Sequence, residues 1–124
     1  MQFCQFNISN YEGKSNCVVR SFCKLLNKEY DDVFKELCDI QFSLQKDSYN
    51  DIDVFETYML NHKIMPISYG YDMLVKDLNL DNGSHIVFCY DKKDYYHMIP
   101  IINNTIYDKN ESCKDLFVIK IYKK

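Results

Sequence analysis

The chain reads as an α+β domain, with helices in the N-terminal half packed on an antiparallel sheet from the C-terminal half. Three observations carry that expectation. Apolar residues recur at three- and four-residue steps in the first half, and the period switches to two from Ser84 onward. Strands and helices are segregated along the chain instead of alternating, which disfavours a doubly wound α/β arrangement. No internal repeat or Pro/Gly-rich linker interrupts the 124 residues, so 1–124 reads as one domain, with a helical half over residues 16–80 and a sheet half over residues 84–122.

The first helix is predicted from Asn16 or Cys17 to about Leu26, because Val18, Val19, Phe22, Leu25 and Leu26 form one apolar stripe. A second starts at Asp31 and Asp32, where a carboxylate meets the free amides, and turns Val33, Phe34, Leu37 and Cys38 inward. A third runs from about Asp51 to His62 with Ile52, Phe55, Tyr58 and Met59 inward. Pro66 ends the segment after this helix, and Met73 to Leu78 forms a short helical turn. Strands are predicted over Ser84 to Tyr90, Tyr95 to Ile102, Thr105 to Tyr107 and Leu116 to Tyr122, all rich in Ile, Val, Tyr and Phe. Asn103 and Asn104 join two of them, and Asn tolerates the positive φ of a tight hairpin turn.

Composition narrows the function classes. Eleven Tyr, eight Phe and a net charge of -3 exclude a predominantly disordered chain. The same balance leaves no basic surplus to neutralise phosphates, which argues against a dedicated nucleic-acid binder. The N-terminus lacks the basic and apolar regions of a secretory signal, and no apolar run is long enough to span a membrane. A cytoplasmic address, with reduced thiols, is the expectation.

Six cysteines remain to be explained. Their even count would permit three disulfides, but no pair has CxxC spacing and a zinc site would need ligands from distant segments. Neither a metal nor a cofactor is expected. Cys23 and Cys38 belong to apolar helix faces and Cys89 to a buried strand, while Cys4 and Cys113 near the ends stay unassigned.

Cys17 stands apart because it falls at a helix start, behind a loop marked by Gly13 and Ser15. There the helix dipole and free amides lower a thiol's pKa, and the Cys17 amide itself is placed to bind an oxyanion. His97 opens a strand and Asp108 closes its hairpin partner. A reversal centred between Asn103 and Asn104 puts residue 110 across from His97 and Ile99 across from Asp108, so His97 and Asp108 become diagonal neighbours. A carboxylate there fixes the imidazole tautomer and stabilises its cation. Cys17, His97 and Asp108 thus make a nucleophile, base and orienter set. His85 and His62 are the alternative bases. Arg20, the sole arginine, is expected to pair with a carboxylate of the second helix, Asp31 or Glu36. Tyr69, Tyr71, Tyr90, Tyr95 and Tyr96 are candidates to line a cleft.

That order of residues resembles the papain-like cysteine peptidase superfamily, and in size its compact bacterial and phage branches of C39-like and NlpC/P60-like type. Asn16 to Ser21, N-C-V-V-R-S, resembles the D-C-V-x-R-A start of small phage-encoded papain-like proteins, and Ile106 to Asp108 their second catalytic strand. The resemblance implies a papain-like fold and a thiol hydrolase acting on an amide in a protein or peptide substrate, with Cys17 as nucleophile, His97 as base and Asp108 as orienter. It implies the cytoplasm of a host if the source is a virus or phage. The superfamily often places Gln six residues before the Cys to complete the oxyanion hole; Tyr11 stands there, and Asn10, Asn16 or Gln5 are the replacements. That departure keeps open a binding protein on the same fold.

Overall fold

The computed structural model describes residues 1–8, 16–70 and 72–124. In chain order these form β1 (Gln2–Gln5), α1 (Cys17–Leu26), α2 (Tyr30–Ser43), α3 (Ile52–Asn61), β2 (Met65–Tyr69), a 3₁₀ turn (Val75–Asp77), β3 (Ser84–Tyr90), β4 (Tyr96–Ile102), β5 (Thr105–Asp108), a second 3₁₀ turn (Glu111–Asp115) and β6 (Phe117–Lys123). The architecture is α+β. Its six-stranded sheet has the order β1-β5-β4-β3-β6-β2.

The sheet corrects the expectation in two places. It is mixed, because β1 runs parallel to β5 while the other neighbours are antiparallel. It also gains both edge strands, β1 and β2. Pro66 does not stop the chain but lies inside β2, where an edge strand spares the missing N–H and the pairing with β6 shifts register between Pro66 and Ser68.

Alternation along β3 and β4 divides the core. Ile86 and Met98 face the helices and pack with Val19, Phe22, Leu37 and Phe55. Val87, Cys89, Ile99 and Ile101 face the other way and are covered by Val75 and Cys113 of the two 3₁₀ turns. This two-sided burial is why β3 and β4 read as nearly continuous apolar runs.

Each helix has a local reason for its limits. α1 ends at Asn27 in the left-handed conformation, φ 54°, with its N–H bonded to the Cys23 carbonyl. Asp51 caps α3 by accepting from the Asp53 amide at 2.8 Å. α2 starts one residue before the expected carboxylates: Glu29 precedes it without a side-chain cap, and Asp31 and Asp32 lie in its first turn, where the dipole favours them. Its inner face is narrower than predicted, with Val33 and Leu37 buried, Cys38 half-buried and Phe34 exposed between the rings of Tyr30 and Tyr49. Ile52 is likewise exposed, whereas Phe55, Tyr58 and Met59 are buried.

Two features position the functional residues. The Ser21 hydroxyl donates to the Met98 carbonyl at 3.1 Å, which fastens α1 across β4. Asn103 and Asn104 adopt φ 49° and 61° and pair Ile102 with Thr105 and Ile101 with Ile106, the expected register.

Candidate active site

Cys17 is the first residue of α1 and is half-buried beside a cleft of about 890 Å³. The N-terminal amides of a helix have no acceptor within it, so the thiol lies at the positive end of the α1 dipole. Asn16 precedes it as N-cap, yet its side chain does not cap the helix. Instead its Oδ1 accepts from Arg20 Nη1 at 2.6 Å.

His97 lies near the start of β4 and lines the same cleft as Cys17, close enough to lower the pKa of its thiol. Its Nε2 is 2.7 Å from Asp108 Oδ2, and its Nδ1 is 3.3 Å from the Tyr95 hydroxyl. The hairpin therefore makes the expected diagonal pair, and the carboxylate assigns the N–H to Nε2. Asp108 is held on every side. Its Oδ1 accepts from Arg20 Nη2 at 2.9 Å, its Oδ2 pairs with His97, and its carbonyl accepts from the Phe6 amide at 2.8 Å.

Electrostatics follow from this network. Burial works to raise the Cys17 pKa, but the hydrogen bond and charge of His97, a Met98 backbone hydrogen bond and the Arg20 charge outweigh it, so the thiol is more acidic than usual. Burial opposes the His97 cation, yet Asp108 and Cys17 lift its pKa to about 9. Asp108 is also disfavoured as an anion by burial, and the hydrogen bond and charge of His97, the Lys109 amide and Arg20 hold it below the ordinary carboxylate range. Both shifts act in the direction of a thiolate beside an imidazolium. Burial drives the other interior thiols the opposite way, in Cys23, Cys89 and Cys113 alike. All six cysteines are free thiols.

The structure brings Cys17, His97, Asp108 and Asn16 together along the cleft, with Tyr95 and Tyr96 on its rim. Gln5 is instead exposed on β1, opposite Asp108 in the strand register, and Asn10 and Tyr71 lie outside the described residues. His85 is buried in β3 within 3.2 Å of Asp81, and His62 packs against Tyr58 in a tilted arrangement, 4.5 Å between ring centres. Neither lines the cleft. Arg20 is a correction: it pairs with Asp108, and Glu36 is taken by Lys28 and Tyr58. Its position three residues after Cys17, hence on the same side of α1, was the available signal. Cys113 had none.

An α+β domain with an activated thiol, a paired imidazole and a buried carboxylate beside one cleft defines the class of site. No protein-family model, curated protein or solved structure matches the chain. Among the described residues no helix is long and apolar enough to cross a membrane, and no group of three or more His, Cys, Asp or Glu is placed to hold a metal ion.

Proposed function

We propose that this chain is a papain-like thiol hydrolase that cleaves an amide bond in a protein or peptide substrate, acting in the cytoplasm. One observation carries the reading: the Cys17 thiol, at a helix N-terminus, shares one cleft with an imidazole whose Nε2 is held by Asp108 at 2.7 Å. The Cys17 thiolate adds to the carbonyl carbon. The resulting oxyanion is met by the Cys17 amide at the start of α1. His97 gives its Nδ1 proton to the leaving amine, which departs and leaves a thioester on Cys17. Water then loses a proton to His97 and attacks the thioester, releasing the acid and restoring the pair. Asp108 keeps the ring oriented and its cation stable throughout.

Mass spectrometry of a mixed peptide substrate pool, incubated with native protein and with Cys17→Ala, tests this reading. Cleavage by the native chain alone, with an acyl adduct on Cys17 after acid quench, supports it. The sequence departure at Tyr11 favours a second reading, a binding protein on the same fold. Absence of any cleavage, with a captured partner retained by Cys17→Ala, decides for that one.

A further inference from the structure

Arg20 is buried, 4% exposed, and its guanidinium makes two bonds in two directions. Nη1 donates to Asn16 Oδ1 at 2.6 Å, and Nη2 donates to Asp108 Oδ1 at 2.9 Å. Asn16 is the residue immediately before the nucleophile, and Asp108 is the residue that orients the imidazole. One rigid fork thus ties together chain segments 88 residues apart.

Resting on the thiol-hydrolase reading, we propose that Arg20 is a positioning residue for the chemistry at Cys17: its guanidinium fixes Asp108 to the first turn of α1 and reserves one carboxylate oxygen for His97. A carboxylate held at one oxygen still turns about its last side-chain torsion. Asp108 is held at both, Oδ1 by Arg20 and Oδ2 by His97, so the ring and the thiol share one fixed frame. The diverted side chain of Asn16 belongs to the same device, because its oxygen serves the guanidinium and does not cap α1.

Charge balance supports the assignment. The active form holds a thiolate, an imidazolium, the Asp108 carboxylate and the Arg20 guanidinium, two charges of each sign. Without Arg20 the buried group carries a net negative charge, which disfavours the thiolate, and the Arg20 charge acts to lower the Cys17 pKa. Lysine keeps the charge but offers a point instead of a fork, so it separates the two contributions.

The experiment follows iodoacetamide alkylation of Cys17 by peptide mass spectrometry across pH, in the full chain, for native protein, R20Q and R20K. In parallel, proton NMR follows the hydrogen-bonded Nε2–H of His97. R20Q is expected to move the acid limb of alkylation up by about one pH unit, roughly a tenfold slower reaction well below the midpoint. R20K is expected to keep the limb near its native position, and both variants to lose the sharp Nε2–H signal. A folded R20Q with the native limb, or a folded R20K with the native signal, overturns the proposal. So does failure of both variants to fold, which makes Arg20 structural. An ordinary thiol limb in the native protein is a different failure, that of the hydrolase reading itself.

Discussion

Asp108→Asn removes a buried charge while keeping the side chain's size, and its cost follows from the partners it leaves behind. In the native chain the carboxylate is 2% exposed and receives Arg20 at 2.9 Å and His97 at 2.7 Å. The amide can still accept from one cation, but its NH₂ end turns a donor toward the other. Arg20 then remains buried without a counter-charge. Breaking a buried ion pair by removing one partner costs about 3–5 kcal/mol. Domains of this kind have only about 5–15 kcal/mol in total. The thermal midpoint near neutral pH should therefore fall by roughly 10 °C or more. The sign of the pH dependence is also set. Because the folded carboxyl is held below its ordinary range, its contribution is present above about pH 4 and is lost as pH falls through the native value. Native and variant stabilities should converge on acidification. Urea unfolding of both proteins over pH checks this. A difference below about 1 kcal/mol near neutrality, or a gap that does not close in acid, refutes the reasoning.

Three further outcomes are expected. His97 has its pKa raised to about 9, so its stabilising effect is full below about pH 6.5, the unfolded value, and is lost as pH rises through the native one; the stability advantage of native protein over His97→Gln should shrink across that interval in urea titrations. Amide hydrolysis should describe a bell in pH, rising as Cys17 ionises below the usual thiol range and falling as His97 deprotonates around pH 9, measured as initial rates on a cleaved peptide. Gly70→Ala would place a Cβ 1.7 Å from the Val118 carbonyl oxygen, against backbone that cannot turn aside, so β2 must shift from β6 at a cost of at least about 2 kcal/mol in chemical unfolding.

The sequence is most informative where burial imposes a period. The α1 stripe, with Val19 and Phe22 fully buried, and the apolar runs of β3 and β4 are legible for that reason. The Asn103–Asn104 turn is legible through backbone chemistry, and it carries the alignment of His97 with Asp108. The edge strands are not. Every residue of β2 is exposed, so no alternation marks it, and four-residue β1 is ordered by docking on β5. Partner choice at long range is also hidden. Arg20 had Asp31, Glu36 and Asp108 to choose among, and only the crossing of α1 over β4 selects the last. Cys113 is brought to the same cleft as Asp108 by tertiary placement alone.

The proposed chemistry rests on Cys17 being a thiolate paired with an imidazolium at neutral pH. Ultraviolet titration of thiolate absorbance in native protein, with the Cys17→Ala signal subtracted at each pH, measures that state most directly. Cys17 is expected to ionise below the ordinary thiol value of about 8.5, with the midpoint moved upward in His97→Gln. A midpoint at or above that value, unchanged by His97→Gln, would contradict the paired thiolate.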